Sequence, residues 1–298
     1  MLDTGIDLDH PYLDEENIEG RNWMDPAQPN DLTDAHGHGT HIAGLILEYV
    51  THSKLYVAKV TDGKDSNPQI LARVSHRKHF MLQRTCSRAQ AIDDAVSQNI
   101  DIISISIGFS ERVPGYDLLE KAIDRAHAAH ILVFAAASND GGNAGRAFPS
   151  RHDNVFCIHS TDAKGDRSSF SPTPERNESN FATVGEAVES NWPRHLCTDE
   201  SSVMKVKSGT SFATPIAASI AAFLLLYARA YLSPDEAQLM KRHSVIKSVL
   251  REISATTGAR ADRDGYQYLF LNECGDNFFG KGEEYINAHL RDAIKTSG

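Results

Sequence analysis

The stretch "DLLEKAIDRAHAAHILVFAAA" (residues 117–137) passes from a helical pattern to a strand pattern with no break between them. In its first two thirds Leu118, Leu119, Ala122, Ile123 and Ala126 fall on one face of a helix. From Ile131 to Ala137 every residue is apolar, the pattern of a strand covered on both faces. Working outward, "IDIISISIG" (100–108) is a second such strand, rich in β-branched residues and ended by Gly108, and "KLYVAKV" (54–60) is a third. Buried strands separated by amphipathic helices predict an α/β domain: a doubly wound, mostly parallel sheet with helices on both faces. After residue 210 the pattern turns helical. "SPDEAQLMKRHSVIKSVL" opens with Ser233 as N-cap and Pro234 at the first helical position, and 233–298 is expected to be a mostly helical closing segment.

Length and composition bound the rest. The 298 residues suffice for a large core, and we read 1–298 as a single domain. A net charge of −10 argues against a broad basic face for nucleic acid. Cys86, Cys157, Cys197 and Cys274 are widely spaced with no CxxC pair, so neither a zinc site nor a disulfide framework is expected. The apolar run at 216–228 is short for a membrane span. "MLDTGIDLDH" lacks the basic-then-apolar order of a signal peptide, which leaves the compartment open.

One segment breaks the pattern. Val74 to Gln90 carries Arg77, Lys78, Arg84 and Arg88 and no acid, inside an acidic chain. Joining its flanks gives "QILARAIDDAVSQNI", in which Ile70, Leu71, Ala91, Ile92, Ala95 and Val96 form one apolar stripe. A surface loop would tolerate such an insertion. We expect instead a translated intron: Val-Ser can be coded GTAAGT, Gln can be coded CAG, and the segment keeps the frame. If present in the protein, it is expected to loop out on the surface and to split the helix.

Three short motifs carry chemistry. "LDTGID" sets Asp3 beside a glycine turn, "GHGTHIAG" follows, and far downstream "SGTSFATPIAASIAAFLL" sets Ser211 at the start of a long apolar helix. Its first turn is expected to contain Pro215. A serine hydroxyl needs a base within hydrogen-bond reach, and the base needs a partner that holds its tautomer. Singly these motifs are turns; an aspartate, a histidine and a serine with such neighbours make a nucleophilic site. The three histidines of "DAHGHGTHIAG" (34–44) also raise a metal site, but no HExxH motif accompanies them. We expect His41 to pack and His36 to be solvated or to cap.

With these motifs the chain resembles the subtilisin-like serine peptidases, through "DTGID", "HGTHIAG" and "GTSFATP". The resemblance implies that Asp3 orients His38, and that His38 takes the proton of Ser211 as it attacks a peptide carbonyl. It implies an oxyanion hole from the Asn139 side chain, in "AAASNDGG", with the Ser211 amide as second donor. It implies pocket walls from Ser106, Ile107 and Gly108 and from 135–138, including Ala136 and Ser138, with Ala147 near the floor. Relatives usually carry glycine where this chain has Ser138, so the added hydroxymethyl is expected to narrow the pocket, and the small floor suggests an uncharged side chain there. A protein or peptide substrate, no cofactor, no metal, no nucleic acid, no membrane and a monomer are the corresponding expectations. A calcium loop common in relatives has no counterpart after the "HGTHIAG" helix. Only Met1 and Leu2 precede Asp3, so the family's strand at that point is largely missing, and we expect a truncated peptidase domain. "DNFFGKGEEYINAHL" resembles the family's closing turn and last helix, with 232–275 matching loosely.

Two rival classes stand beside the endopeptidase. One is a non-catalytic interaction domain on the same fold, disabled by truncation or insertion. The other is a nucleotide-binding α/β protein, for which "NDGGNAG" (139–145) is the sole glycine-rich candidate; it lacks both the Walker lysine and the GxGxxG spacing.

Overall fold

The computed structural model describes residues 1–63, 77–142, 144–176, 178–198, 203–255, 262–270 and 278–297. The sheet is built from β1 (Leu2–Asp3), β2 (Ile18–Asn22), β3 (Leu55–Lys59), β4 (Ile102–Ile105), β5 (Leu132–Ala136), β6 (Val155–Thr161), β7 (Phe181–Val184), β10 (Asp262–Arg263) and β11 (Tyr266–Tyr268). Its order is β10-β11-β7-β6-β5-β4-β1-β3-β2, and every pairing except β10 with β11 is parallel. A separate antiparallel ribbon joins β8 (Val188–Asn191) to β9 (Met204–Lys207). The helices are α1 (His38–Tyr49), α2 (Arg77–Ser97), α3 (Tyr116–Ala128), α4 (Thr210–Tyr231), α5 (Pro234–Leu239), α6 (His243–Ala255) and α7 (Glu283–Ser297).

The 117–137 stretch shows why the sheet is covered twice. Side chains alternate along β5: Leu132 and Phe134 enter a core with α4, α6 and α7, while Val133 and Ala135 enter another with α2 and α3. In α3, Leu119, Ala122, Ile123 and Ala126 face the sheet. Leu118 does not; it lies one step round the helix and is 48% exposed. A third core, with Ile6, Ile42, Leu45, Val57 and Phe212, lies under α1. The closing segment begins as expected, with Ser233 and Glu236 in a reciprocal capping box and Pro234 at the first position of α5. It also contributes strand: β11 extends the sheet beside β7.

At 22 residues, α4 is long and apolar enough to cross a membrane, which the run at 216–228 alone does not suggest. In this fold most of its apolar side chains, among them Ala213, Ala217, Ile220, Leu224 and Ala228, are buried in the core, while Phe223 is exposed. The two residues of β1 pair on both sides, Leu2 with Ala58 and Ile105 and Asp3 with Lys59. Below them, between β3, β4 and α4, lies a cavity of about 390 Å³ lined in part by Ser104 and Ser219. Cys86, Cys157 and Cys197 are free thiols, and Cys274 lies outside the described residues.

The expected surface loop at 74–90 is overturned from Arg77 onward. Residues 77–90 form the first two thirds of α2, continuous with Ala91–Ser97; Val74 to His76 lie outside the described residues. The physical reason is a stripe that its polar residues conceal. Met81, Arg84, Thr85, Arg88, Ala89, Ile92 and Ala95 recur at helical spacing and are buried. Arg84 reaches Asp62 at 2.6 Å, and the Arg88 guanidinium lies 4.5 Å from the centre of the Phe109 ring. These long stems cover apolar surface, so arginine does there what leucine does elsewhere.

The segment nevertheless remains, in our proposal, an addition to a shorter helix, and a spliced transcript lacking its codons is the direct test of the intron reading. The register gives a physical test as well. Deleting 74–90 joins Arg73 to Ala91 and brings Leu71 to the buried place of Arg88. Leucine there would bury an apolar side chain in place of a guanidinium that costs desolvation. We expect the deletion variant to fold; far-UV circular dichroism that lacks helix, or a missing cooperative thermal transition, would contradict this.

Candidate active site

Asp3 ends β1 at the carboxyl edge of the sheet, where side chains from neighbouring loops converge. Its carboxylate is buried, and Oδ1 accepts the Thr4 amide at 2.8 Å and His38 Nδ1 at 2.7 Å. His38 is the first residue of α1. Burial alone pushes its imidazole pKa down, but the adjacent Asp3 charge and hydrogen bond outweigh it and hold the value above the ordinary 6.5. Nδ1 donates to Asp3, so Nε2 of the neutral ring is left as the basic nitrogen, pointing away from the carboxylate.

Ser211 is the second residue of α4. Pro215 stands inside that helix and not at its start, because α4 begins at Thr210. Lacking an N–H, Pro215 leaves the Ser211 carbonyl without its helix partner. The Ser106 hydroxyl takes its place, donating to that carbonyl at 3.0 Å, and the Ser211 hydroxyl donates in return to the Ser106 carbonyl at 2.9 Å. This reciprocal pair ties the end of β4 to the start of α4. The structure therefore brings Asp3 and His38 into contact, but among the described residues the Ser211 hydroxyl bonds to Ser106 and not to His38.

Asn139 follows β5. Its Oδ1 accepts the Thr210 amide at 2.8 Å and the Thr210 hydroxyl at 3.1 Å, which turns Nδ2 toward Gly209 and the start of α4. Ser106, Ile107 and Gly108 continue β4 beside Ala136 and Ser138 of the neighbouring strand and its exit. Ala147 packs close: a Cβ built on Gly108 would lie 3.1 Å from it. Ser138 has φ 151°, a conformation that favours glycine, and its hydroxyl is turned to Asp140 at 2.8 Å. The hydroxymethyl is thus tied to Asp140.

The three histidines of 36–41 diverge. His36 is exposed. His41 is fully buried, donates Nε2 to the Lys205 carbonyl at 2.9 Å and meets Phe212 edge-on; burial pushes its pKa down to about 4, so it is neutral at pH 7. Sequence reasoning missed Asp34. Its carboxylate accepts the amides of His36, Gly37 and Thr40 and the hydroxyls of Thr4 and Thr40. It caps a helix whose own N-cap, Gly37, has no side chain to offer. The signal was available: an aspartate just ahead of a glycine-rich helix start is a capping residue by type.

A family model described as the subtilase family matches residues 1–267. The chain belongs to the subtilase family. It is 35% identical over 207 residues to "Subtilisin-like protease het-Q2" of Podospora anserina, covering 68% of this chain and 52% of that protein, so it spans about half the length of that relative. It is 32% identical over 254 residues to an "Intracellular serine protease" of Paenibacillus polymyxa, covering 81% of this chain and 72% of that one. Among solved structures, "Crystal Structure of a Lanthipeptide Protease" superposes with a TM-score of 0.68 at 20% identity, over 100% of this chain and 86% of that one. The epidermin leader peptide processing serine protease of Staphylococcus aureus gives 0.64 at 21%, over 90% and 72%. At such identities these two share the fold.

In this subtilase, Asp34 holds the start of α1 in place. Burial raises its carboxyl pKa, but hydrogen bonds from Thr40, Gly37 and Thr4 outweigh burial and hold it below 3.8. Its stabilisation is present above that value and is lost as pH falls through the lower folded one. Asp34→Ala leaves five donors without their acceptor, and we expect a loss of about 3 kcal/mol or more. Denaturant unfolding at pH 7 measures it, and a loss below 1 kcal/mol would show that Asp34 is not the clamp.

Proposed function

We propose that the chain is a serine endopeptidase in which Asp3 orients, His38 transfers protons and Ser211 is the nucleophile. The observation that carries this reading is the 2.7 Å contact of a buried carboxylate with His38, beside a serine held at a helix start. A rotation of the Ser211 hydroxyl from the Ser106 carbonyl toward His38 Nε2 readies it for attack; such contacts often tighten only with substrate bound. Ser211 Oγ bonds to the scissile carbonyl carbon as its proton passes to Nε2. The tetrahedral oxyanion is received by Asn139 Nδ2 and the Ser211 amide. His38 then protonates the leaving amine as the C–N bond breaks. Water, deprotonated by the same nitrogen, cleaves the acyl ester and restores the serine. The substrate is a protein or peptide whose acyl half runs along Ser106–Gly108 and 136–138.

The rival reading, an interaction domain without activity, draws on the Ser211 hydroxyl resting on Ser106. A fluorophosphonate probe separates the two. We expect covalent labelling that disappears in Ser211→Ala, together with a loss of peptide hydrolysis by several orders of magnitude. An unlabelled, folded wild type would favour the interaction domain.

Asn139→Ala should lower kcat by about 100- to 1,000-fold with KM nearly unchanged, a size taken over from the corresponding donor of a subtilisin. An effect confined to KM would remove Asn139 from the oxyanion site. The pH profile follows from His38, which acts as base only when neutral. Its pKa is held above 6.5 by Asp3, so kcat/KM should fall as pH drops through a value above 6.5. Asp3→Asn removes that charge; the acid limb should move to lower pH and kcat should fall. A limb that stays in place would break the assignment.

A further inference from the structure

We infer that Lys205 and Lys207 make the leaving-amine side of the site selective for acidic residues, so that the preferred substrate carries Asp or Glu just after the cleaved bond. This deepens the proposed function and rests on it. The two lysines stand two apart on β9 and so share one face of the β8–β9 ribbon. Both lie over Trp192, with their ammonium nitrogens 4.2 Å and 4.8 Å from the ring centre. Trp192 is buried and lies directly against the start of α1: a Cβ built on Gly37 would come within 2.4 Å of the ring, and Gly37, with φ +91°, immediately precedes His38. The lysine pair is thus anchored by a rigid ring on the residue next to the proton-transferring histidine.

The side of the cleaved bond follows from the chemistry. The acyl half of a substrate lies over the ends of β4 and β5, where Ser106, Asn139 and the start of α4 gather. His38 must hand its proton to the leaving amine, so the amine half departs on the His38 side. There the next elements are Trp192 and the ribbon that carries the lysines.

The charges are available to a substrate. Among the described residues no carboxylate lies within ion-pair distance of either ammonium. Across the ribbon Lys205 faces Ser190 and Lys207 faces Val188, while Glu189 pairs with Val206 and so lies on the opposite face. Arg194, exposed in the following turn, adds a further positive charge. Asp34, on the α1 side, is buried and spends its oxygens on Thr4, His36, Gly37 and Thr40. Lys207 is partly buried, and this drives its ammonium pKa down together with repulsion from Lys205.

Three internally quenched peptides test this. They share one acyl half and carry Glu-Glu, Gln-Gln or Lys-Lys as the first two residues after the cleaved bond. At low ionic strength we expect kcat/KM for the Glu peptide to exceed that for the Gln peptide by about five-fold, and the Lys peptide to be the poorest. The double variant K205E/K207E should invert the order, and each ratio is taken within one protein, so a general change in activity cancels. Equal rates for all three peptides in wild type, or an order unchanged in the double variant, would overturn the inference and leave the peptidase reading standing. Cleavage of none of them by a folded wild type that also fails to react with a fluorophosphonate would overturn both.

Discussion

The constraint on which the site depends is the close approach of the first turn of α1 to the turn after β1. A Cβ on Gly39 would come within 2.1 Å of the Gly5 carbonyl, so only glycine lets the two backbones meet. Thr4 locks the contact: its hydroxyl donates to Asp34 and accepts the Gly39 amide at 2.8 Å. Asp34 collects the amides that an α-helix start leaves unpaired. With the helix start pinned there, His38 can reach Asp3 at the end of a strand of only two residues. The 2.7 Å contact between Asp3 and His38 is therefore a consequence of backbone fit and capping.

Ser211 is positioned by a different device, and the two meet across the sheet. A proline inside α4 forfeits a helix hydrogen bond at a cost that local propensity would count against the sequence. Here the freed carbonyl is the handle by which Ser106 holds the helix start. Thr210 adds a second tether, binding the Asn139 side chain through both its amide and its hydroxyl. β4 and β5 are neighbours in the sheet and reach α4 through Ser106 and Asn139. Ser211 and Asn139 are thus referenced to the same two strands, whose relative position the ladder fixes. Phe212 completes the junction, its ring 5.4 Å from His38 and 4.7 Å from His41.

How much of this was legible depended on whether the deciding signal was local. The strands at 54–60, 100–108 and 131–137 and the helix at 117–130 announce themselves through apolar pattern, and their alternation gives the doubly wound sheet. The motifs around Asp3, His38 and Ser211 singled out the residues proposed for the site, of which Asp3 and His38 are in contact. What escaped was long-range or disguised. Residues 77–90 hide an amphipathic face because Arg84, Thr85 and Arg88 count as polar by type while their stems and hydroxyls are buried. β11 is three residues long, and its partner β7 lies more than eighty residues earlier, a distance at which no local pattern speaks. The bond between Ser106 and Ser211 links residues 105 apart and needs the fold before it can be seen.

A net charge of −10 would argue against an acidic substrate if all charges acted at equal range, and distance decides that they do not. Charges farther away than about 8 Å, the screening length at physiological ionic strength, contribute little to a bound peptide. The acids of α2, α3, α5 and α7 belong to other parts of the molecule, and Asp117, Asp93 and Glu236 among them are engaged by Arg112, Arg125 and Arg291. Next to His38 the local balance is the reverse, with Lys205 and Lys207 over Trp192 and the neighbouring carboxylate of Asp34 buried in hydrogen bonds. The overall charge governs the slow approach of a polyanion and weakens with salt. On the proposed reading the two ammoniums act on residues already seated beside the bond to be cut, where separation is shortest and attraction strongest. An excess of acid over the whole chain and a cationic leaving-group side are therefore compatible, because they operate at different ranges.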